Sequence, residues 1–422
     1  MENSILSNLT VLVFDYGNFS YVSEKFAKSF GRTLLYCPYE EGFPKYNKFM
    51  IGSGIPGVEK VQSFWPYFDQ IDLFYFADLY QGEFQAWLRN QGKAVFGSGK
   101  GEDMELLRDM MKRKQQDLKM DLNDYEVIHG FDNLQNYLEN NDDKYIKTNT
   151  LRGGMETWHH ENIMLSKPIL DELNHSLGVF KNNQTFIAES PIDSVCEVGY
   201  DGFCGEGIYP SKVMFGLEVK DSSYCCVFTD YQRLPIPLKE INKALSPSLE
   251  DYGYRGWVST EVKMISADKG ILLDFTARNG EPPTSLAIEM LEDYPLYCWQ
   301  IAIGEIPNVK SKFKYGAQII IKSDWAREEP QPIYFPSEYT DYVKIKNLVI
   351  QDGVRYFVPI PAQTMCEIGA VIGCGNTLQQ AIDQAKKVAK EIKGYTLEIN
   401  GSALDDAAEE IKKLSKLGIS LF

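Results

Sequence analysis

Short apolar runs alternate with helix-like stretches over the first hundred residues. The runs LTVLVFDYG, RTLLYCPY and DLFYFAD are separated by stretches with helical patterns, at residues 21–30 and 83–90 among others. Such alternation is typical of a parallel sheet with crossover helices. We therefore predict a Rossmann-like N-terminal α/β domain over residues 1–119, closed by the charged helical segment GEDMELLRDMMKRKQQDLKM.

The pattern changes beyond residue 120. Residues 120–192 combine strand-like pieces with a helix near 165–177, which predicts a compact α+β unit. Residues 193–320 are rich in β-like runs, and residues 321–422 mix both patterns, so the predicted fold is α/β and α+β in four parts. Later elements predicted from the same patterns are a helix over 285–303, strands at 317–322 and 342–349, and a final amphipathic helix at 403–417.

Composition favours a folded, acidic chain. Hydrophobic residues make up 44% of the 422 positions, and 59 acidic against 43 basic residues give a net charge of −16. This balance argues against nucleic-acid binding, which needs a basic surface to replace the counterions of phosphates. No apolar run approaches the roughly 18 residues of a membrane span, and the N-terminal residues do not resemble a signal peptide. We expect a cytoplasmic protein without a membrane partner.

Several segments that look like binding motifs are better explained as ordinary structural features than as functional sites. The eight cysteines lack the spacing of a zinc knuckle or a disulfide framework, so buried, reduced thiols are expected. The segment GSGIPG at 52–57 fits the dinucleotide pattern, but it follows no first strand and contains Pro56. The segment GSGKG at 97–101 lacks the remaining residues of a phosphate loop. The consecutive His159 and His160 cannot both face one metal ion.

The residues from 261 to 281 form the most informative stretch. The turn residues SADKG between two alternating runs predict a β-hairpin centred near residues 268 and 269. In that register Lys263 faces Asp274 and Glu261 faces Thr276, so that Glu261 and Asp274 are diagonal neighbours on one face with Arg278. Two carboxylates this close repel each other unless a cation or a proton lies between them. A divalent metal and a solvated face with ion pairs through Lys263 explain the spacing equally well.

Other cationic residues favour a phosphate site. Lys147 ends a strand-like run and precedes the loop TNTLRGGMET, whose Gly153 and Gly154 suit a loop that covers phosphates. Arg108 and Lys112 lie one turn apart on a predicted helix, although a charged helix surface is the usual reason for such a pair. The segment TFIAESPID predicts a strand that meets a turn, where backbone groups could contact an adenine edge.

In this order, the motifs resemble those of the ATP-grasp carboxylate-amine ligases, specifically the phosphoribosylamine-glycine ligase family. Glu105, Arg108 and Lys112 after AVFGSG, the strand-end Lys147, ARNGEPP, TDYQR and GCGNTLQQA each match a family segment, and the resemblance spans nearly the whole chain. It implies a pre-ATP-grasp domain (1–119), a small and a large ATP-grasp subdomain (120–192 and 193–320) and a C-terminal domain (321–422).

The resemblance also implies roles for individual residues. Lys147 and Arg278 are the expected catalytic residues. The metal ligands are expected at Glu261, Asp274 and Thr276, the last standing where the family usually has Asn. The expected ATP contacts are Arg108, Lys147, Arg152, Gly153, Gly154, Glu189, Ser190, Pro191, Ile192 and Glu197, and the expected substrate contacts are Asp15, Asn18, Asp230, Arg233 and Arg278.

Departures from the family pattern concern mainly the substrate side. The segment DYGNFS, residues 15–20, replaces an expected glycine-rich loop, and Asn242 and Lys243 stand where a glycine-rich segment is usual. The loop after Lys147 carries Arg152 in place of the family's lysine. The ATP half of the pattern is therefore better matched than the amine half.

The function implied by the resemblance is an ATP-dependent ligase. It uses Mg²⁺, with Mn²⁺ as an alternative, to convert a small carboxylate into an acyl phosphate and joins it to an amine. One alternative is a true phosphoribosylamine-glycine ligase of purine biosynthesis, and another is a non-catalytic ATP-binding scaffold that keeps the fold. The expected partners are small molecules, with no nucleic acid and no membrane. The expected oligomeric state is a monomer or a homodimer.

Overall fold

The computed structural model describes residues 3–38, 49–150, 156–219, 223–360 and 367–421. The α-helices in these ranges are α1 Asn3–Leu6, α2 Ser20–Phe26, α3 Gly82–Asn90, α4 Asp103–Leu106, α5 Arg108–Asp117, α6 Phe131–Leu138, α7 Ile163–Leu177, α8 Ile236–Asp251, α9 Pro283–Met290, α10 Tyr294–Ala302, α11 Leu378–Glu391 and α12 Ala403–Lys416.

The β-strands of the same ranges fall into four sheets. They are β1 Thr10–Phe14, β2 Arg32–Tyr36, β3 Val58–Lys60, β4 Leu73–Phe76, β5 Ala94–Phe96, β6 Tyr125–His129, β7 Lys144–Thr148, β8 Thr157–His160, β9 Thr185–Glu189, β10 Cys196–Gly205, β11 Lys212–Val219, β12 Ser223–Asp230, β13 Arg255–Met264, β14 Gly270–Thr276, β15 Tyr315–Ser323, β16 Gln331–Ile333, β17 Val343–Ile345, β18 Leu348–Gln351, β19 Val354–Phe357, β20 Glu367–Gly375 and β21 Leu397–Ile399.

The N-terminal sheet is parallel throughout, in the order β3-β2-β1-β4-β5. Its central strands β1 and β4 are nearly continuous apolar runs, as expected for strands covered on both faces. The predicted α/β architecture is confirmed here. Helix α2 ends at Phe26, four residues earlier than the pattern predicts, and α3 covers the predicted helix at 83–90.

A four-stranded antiparallel sheet follows, in the order β6-β9-β7-β8. Helices α6 and α7 supply apolar side chains to its core, in which Phe131, Leu134 and Leu173 pack with Ile146 and Phe186 of the strands. This is the compact α+β unit predicted from the sequence. We call it the small sheet.

The largest sheet has nine strands, in the order β14-β13-β10-β11-β12-β15-β20-β17, with β21 paired to β15. We call it the large sheet. Strand β15 crosses the boundary predicted at residue 320 and pairs with β12 on one side and β20 on the other. The sheet therefore continues through both predicted units, 193–320 and 321–422, and the four-part division stays a prediction. A three-stranded sheet, β16-β19-β18, completes the fold.

Several predicted elements are interrupted. The single helix predicted over 285–303 is two helices, α9 and α10, because Asp293 caps a new helix by accepting from the Leu296 N–H, with Pro295 in its first turn. The helical segment after Gly101 likewise breaks at Leu107 into α4 and α5. The strand predicted at 342–349 is divided between β17 and β18 by a turn at Asn347, whose φ is 47°.

The helices in the described ranges are all too short or too polar to cross a membrane. The seven described cysteines are free and buried, so they act as small apolar side chains in the core.

Candidate active site

A cavity of about 490 Å³ lies between the small sheet, helix α5 and the polar face of the large sheet. This volume is within the roughly 300–1,000 Å³ typical of small-molecule sites. Successive side chains along each strand point to opposite faces, so Glu261 and Asp274 line the cavity while Val262 and Tyr200 are buried on the other face. The alternating pattern of these strands thus produces a polar floor above an apolar core.

The β13–β14 hairpin brings Glu261 directly opposite Asp274. The predicted register, with Lys263 facing Asp274 and Glu261 facing Thr276, is wrong. The hairpin closes earlier, around Ala267, and a bulge beside Glu261 adds one residue to β14. The two carboxylates are therefore direct cross-strand neighbours on one face and not diagonal ones.

Asp274 is held by a lysine from the small sheet. Lys147 Nζ lies 2.8 Å from Asp274 Oδ1 and 3.4 Å from Glu189 Oε2, and it donates to the Leu273 carbonyl at 3.0 Å. Burial favours neutral Asp274, but Lys147 and Arg108 outweigh it and lower the pKa of Asp274. Burial also opposes the charge of Lys147, yet Asp274 and Glu189 raise its pKa. This ion pair joins the small sheet to the large one.

Arg108 and Lys112 face inward, in contrast to a charged helix surface. Both are buried, at 8% and 5% exposure. Arg108 donates to the Thr148 carbonyl at 2.7 Å and pairs with Glu156, while Lys112 lies 2.5 Å from Glu189. Burial lowers the pKa of Lys112. We call Arg108, Lys112 and Lys147 the cationic wall of the cavity.

Carboxylates dominate the opposite side of the cavity floor, and we call Glu197, Asp201, Glu218 and Glu261 the acidic wall. Burial and the nearby charges of Glu218 and Asp274 raise the pKa of Glu261 well above its usual range. In the part of the chain that the structure describes, no ion pair or hydrogen bond involves the Glu261 side chain. Glu197 is paired with Lys263 at 2.5 Å, so that lysine is not a partner of Asp274.

Asp201 is a fully enclosed member of the acidic wall. Its carboxylate accepts from the Tyr224 hydroxyl at 2.6 Å and from the Ser259 hydroxyl at 2.5 Å. Burial raises the pKa of Asp201 to about 6. Gly216 is required beside this group, since a Cβ there would overlap the Tyr224 hydroxyl. Sequence reasoning missed Asp201 and Glu218, although the alternation of β10 and β11 with Glu197 as reference could have placed them on the same face.

Arg278 is oriented by a buried carboxylate. Glu105 accepts from Arg278 Nε at 3.1 Å and from the Ala277 N–H at 2.6 Å, and Asp78 lies 3.5 Å from the same nitrogen. Arg278 Nη1 donates to the Asn279 carbonyl at 3.1 Å. The sequence singled out Glu105 only as part of a motif. The structure shows that it orients this arginine, which lines the cavity.

The segment predicted to contact adenine is only partly in the cavity. Glu189 lines it, whereas the Ser190 N–H donates to the Asp124 carbonyl and the Ser190 carbonyl accepts from Asn123. Ser190, Pro191 and Ile192 are not among the residues that line the cavity. Thr276 and Glu197 do line it. Their individual roles stay predictions, and Arg152, Gly153 and Gly154 lie outside the described residues.

The predicted substrate residues fall into two groups. Asp15 is buried and accepts from the Phe19 N–H, and burial raises its pKa to about 7. Asn18 donates to Asp78 at 3.3 Å and so reaches Arg278 through that carboxylate. By contrast, Asp230 and Arg233 are exposed outside the cavity, where Asp230 pairs with Lys212 at 3.2 Å.

Comparison with known proteins rests on structure alone. No family model and no curated protein matches the sequence. Phosphoribosylamine-glycine ligase from Thermotoga maritima superposes with a TM-score of 0.67 at 14% identity, covering 93% of this chain and 99% of that one. The L-amino acid ligase from Bacillus licheniformis gives 0.60 at 11% identity, covering 92% and 99%. The chain has the ATP-grasp fold.

Another ATP-grasp structure was determined with a ligand. The biotin carboxylase domain of Hydrogenobacter thermophilus 2-oxoglutarate carboxylase, in complex with MgADP, ADP and bicarbonate, gives a TM-score of 0.64 at 11% identity, covering 96% of this chain and 94% of that one. All three likenesses are between folds.

The ATP-grasp cavity offers a paired-carboxylate site for a divalent ion. Among the described residues no group of three or more His, Cys, Asp or Glu side chains is arranged to hold a metal by itself. Glu261 and Asp274 supply two oxygen donors side by side, which suits Mg²⁺, an ion that usually keeps waters and phosphate oxygens as further ligands. Burial, and after it the neighbouring charges of Glu218 and Asp274, raise the pKa of Glu261, and a divalent ion beside this carboxylate would favour its charged form.

Proposed function

We propose that the protein is an ATP-dependent carboxylate-amine ligase. One observation carries the proposal: the opposed carboxylates Glu261 and Asp274 share a cavity with the three buried cations Arg108, Lys112 and Lys147. Each of these cations is paired with a carboxylate, so the cavity holds charges of both signs side by side. A triphosphate with its divalent ion requires cations and carboxylates together, and the fold matches structures of ligases and of a carboxylase domain bound to MgADP.

The cationic wall is assigned to the phosphates. Lys147 and Arg108 brace the phosphate chain, and Arg152, Gly153 and Gly154, which lie outside the described residues, stay predicted ATP contacts. Glu261 and Asp274 would hold Mg²⁺, or Mn²⁺ in its place, with Thr276 as a weaker third position. Such an ion would supply positive charge to the phosphate oxygens.

The reaction joins two substrates in two steps. A carboxylate oxygen attacks the γ-phosphorus, the bond to ADP breaks, and an acyl phosphate forms. The amine nitrogen then attacks the acyl carbon, and inorganic phosphate leaves as the C–N bond forms and the nitrogen loses a proton. Arg278, held by Glu105, is positioned to stabilise the charge on the transferred group.

The direct test is Mg²⁺-dependent release of ADP and phosphate from the full chain. Small carboxylates, including the amino acids, are screened in pairs with small amines. We expect turnover only when both a cognate carboxylate and an amine are present. Turnover that is unchanged in Lys147→Met, or binding of MgADP that survives Glu261→Ala with Asp274→Ala at full strength, would contradict the proposal.

A non-catalytic ATP-binding protein is the second candidate. The observation in its favour is Thr276, which lines the cavity where the family usually supplies Asn. This candidate predicts tight MgADP binding without ADP release for any pair of substrates. Phosphoribosylamine-glycine ligation is the specific form of the first candidate, and phosphoribosylamine with glycine belongs in the same screen.

A further inference from the structure

One residue of the cavity has a buried hydrogen-bonding atom with no partner. The side chain of Gln115 is 2% exposed and lines the cavity, and its Oε1 accepts no hydrogen bond from the residues that the structure describes. A buried polar atom without a partner costs free energy, and native proteins contain few of them. Because this atom belongs to the wall of a cavity, a bound ligand can supply the missing donor.

The other unpartnered atoms show that Gln115 is a special case. Among the described residues, buried side-chain polar atoms without a hydrogen-bond partner belong to cavity-lining residues in two cases, Gln115 Oε1 and Glu189 Oε1. Glu189 Oε1 lies 2.5 Å from Lys112 Nζ in an ion pair, so its charge is offset within the protein. Within the described part of the chain, Gln115 Oε1 is therefore the buried polar atom of the cavity wall that has neither a hydrogen bond nor an ion pair.

Gln115 shares one face of α5 with the cations assigned to the phosphates. The buried residues of this helix include Arg108, Met111, Lys112 and Gln115, at the three- and four-residue spacing of a single helix face. Gln115 is two turns beyond Arg108, about 10 Å along the helix axis. A nucleotide whose phosphates contact Arg108 and whose ribose runs along this face brings its base to Gln115.

The surroundings of Gln115 suit a flat ring with a polar edge. Met111, one turn earlier on the same face, is 6% exposed and lines the cavity, so its thioether offers an apolar contact to a ring. Small-molecule sites combine such apolar contacts with a few polar groups that fix the orientation of the ligand. Met111 and the unpartnered amide oxygen of Gln115 provide both kinds of contact for a nucleotide base.

The strand end that the sequence predicts as the adenine contact has its polar groups engaged elsewhere. The Ser190 N–H donates to the Asp124 carbonyl at 2.9 Å, and the Ser190 carbonyl accepts from Asn123 at 3.1 Å. Lys144 Nζ contacts the Ser190 hydroxyl at 3.0 Å. All three contacts are internal, and Ser190 does not line the cavity. These contacts favour recognition of the base by a side chain of α5.

We propose that Gln115 selects the nucleotide base by binding the edge of adenine through its side-chain amide. Oε1 accepts from the exocyclic amine N6, and Nε2 donates to the ring nitrogen N7, the pairing that amide side chains make with adenine. Guanine presents two acceptors, O6 and N7, on the same edge, so Oε1 faces an acceptor in either orientation of the amide. This role rests on the proposed ATP-dependent function, within which Gln115 discriminates ATP from GTP.

Calorimetric titration of the full chain with MgADP and MgGDP tests the selection. Wild type should bind ADP about 10-fold more tightly than GDP, and Gln115→Leu should weaken ADP binding about 10-fold with GDP nearly unchanged, because one bidentate contact is lost. Gln116→Leu, at the exposed neighbouring position, is the matched control and should bind both nucleotides like wild type. Equal binding of both nucleotides by wild type, or equal weakening of both by Gln115→Leu, overturns the selector role and leaves the ligase intact.

A modified base tests the pairing at a single atom. The diphosphate of 7-deazaadenosine has carbon in place of N7, so it cannot accept from Gln115 Nε2. Wild type should bind this analogue about 10-fold less tightly than ADP, since the amide donor is left without a partner. Gln115→Leu should bind the analogue and ADP equally. The same loss in wild type and in Gln115→Leu would place N7 against another residue and overturn the pairing.

Stability gives a readout that a structural role would move in the opposite direction. An amide oxygen kept for a ligand costs free energy in the unliganded protein, so Gln115→Leu should keep or raise the melting temperature without nucleotide. A clearly lower melting temperature would mean that Gln115 supports the fold, which overturns the selector role. Absence of MgADP binding by wild type overturns the selector role together with the proposed ATP-dependent function.

Discussion

The cationic and acidic walls of the cavity shift the pKa values of two neighbouring carboxylates in opposite directions. Asp274 and Glu261 are opposite each other on one hairpin, yet the pKa of Asp274 is lowered and the pKa of Glu261 is raised. Asp274 meets the cationic wall through Lys147, whereas Glu261 is among the acids of the acidic wall. The cationic and acidic walls therefore meet between Glu261 and Asp274, where a divalent ion bound to phosphates would contact both carboxylates.

Removal of Lys147, which joins the small sheet to the large sheet, should have the largest effect. We expect Lys147→Met to reduce kcat/KM at least about 100-fold, since a preorganised charge on the phosphates is lost. Steady-state ADP release measures it. Lys144→Met, on the same strand but bonded to Ser190, is the control and should change activity little. Similar losses in both variants would mean that the small sheet is damaged in general.

Neutralising one acid of the opposed pair should come next. Glu261→Gln should raise the Mg²⁺ concentration for half-maximal activity by about 10-fold, because one charged oxygen donor is lost from a two-carboxylate site. Titration of activity with Mg²⁺ at saturating ATP checks this. Glu197→Gln is a comparison within the acidic wall, since Glu197 already pairs with Lys263. An unchanged Mg²⁺ requirement in Glu261→Gln would place the ion elsewhere.

The orientation of Arg278 can be tested without touching the arginine. Glu105→Gln keeps the size of the side chain but weakens its hold on Nε, so kcat/KM for the carboxylate should fall about 10-fold. The affinity for MgADP should stay constant. A parallel loss of nucleotide affinity would show that Glu105 supports the whole cavity and not the arginine alone.

Asp201 of the acidic wall should make the stability of the fold depend on pH. The folded-state pKa of Asp201 is raised to about 6 from 3.8, so protonation favours the folded state. Its contribution to stability is complete below pH 4 and is lost as the pH rises through about 6. Asp201→Asn should therefore show a smaller fall in melting temperature between pH 4 and about 7 than wild type. Identical slopes would mean that Asp201 is not enclosed in solution.

The smallest effect is expected outside both walls. Asp230 and Lys212 form an exposed pair, and such pairs contribute about 0–1 kcal/mol. Asp230→Ala should leave activity and melting temperature nearly unchanged. A large loss of activity with an unchanged melting temperature would instead support the substrate role that the family resemblance predicts for Asp230.

The sequence predicted which residues line this cavity better than it predicted which of them contact each other. Alternation placed Glu261 and Asp274 on one face, but the register depended on a bulge and an early turn, which involve backbone geometry that residue types do not specify. The sequence places Lys263 of the same hairpin opposite Asp274, whereas Lys147 contacts Asp274 from another sheet. Contacts over such distances along the chain depend on how sheets pack together.

Residues without a motif were the hardest to find. Asp201 and Gln115 belong to ordinary-looking elements, and only the packed structure shows that one is enclosed by two hydroxyl groups and the other has an unpartnered oxygen. The N-terminal parallel sheet was predictable for the opposite reason. Its signal is the local alternation of apolar runs and helices, which needs no knowledge of distant contacts.

Strand β15 has a consequence for the order in which the chain can assemble. It lies between β12 and β20, so the large sheet is complete only after β20, residues 367–375, has been synthesised. A nascent chain that ends before β20 exposes an open strand edge, which is a site for wrong pairing. The floor of the cavity thus belongs to a sheet that is completed only once β20 has been synthesised.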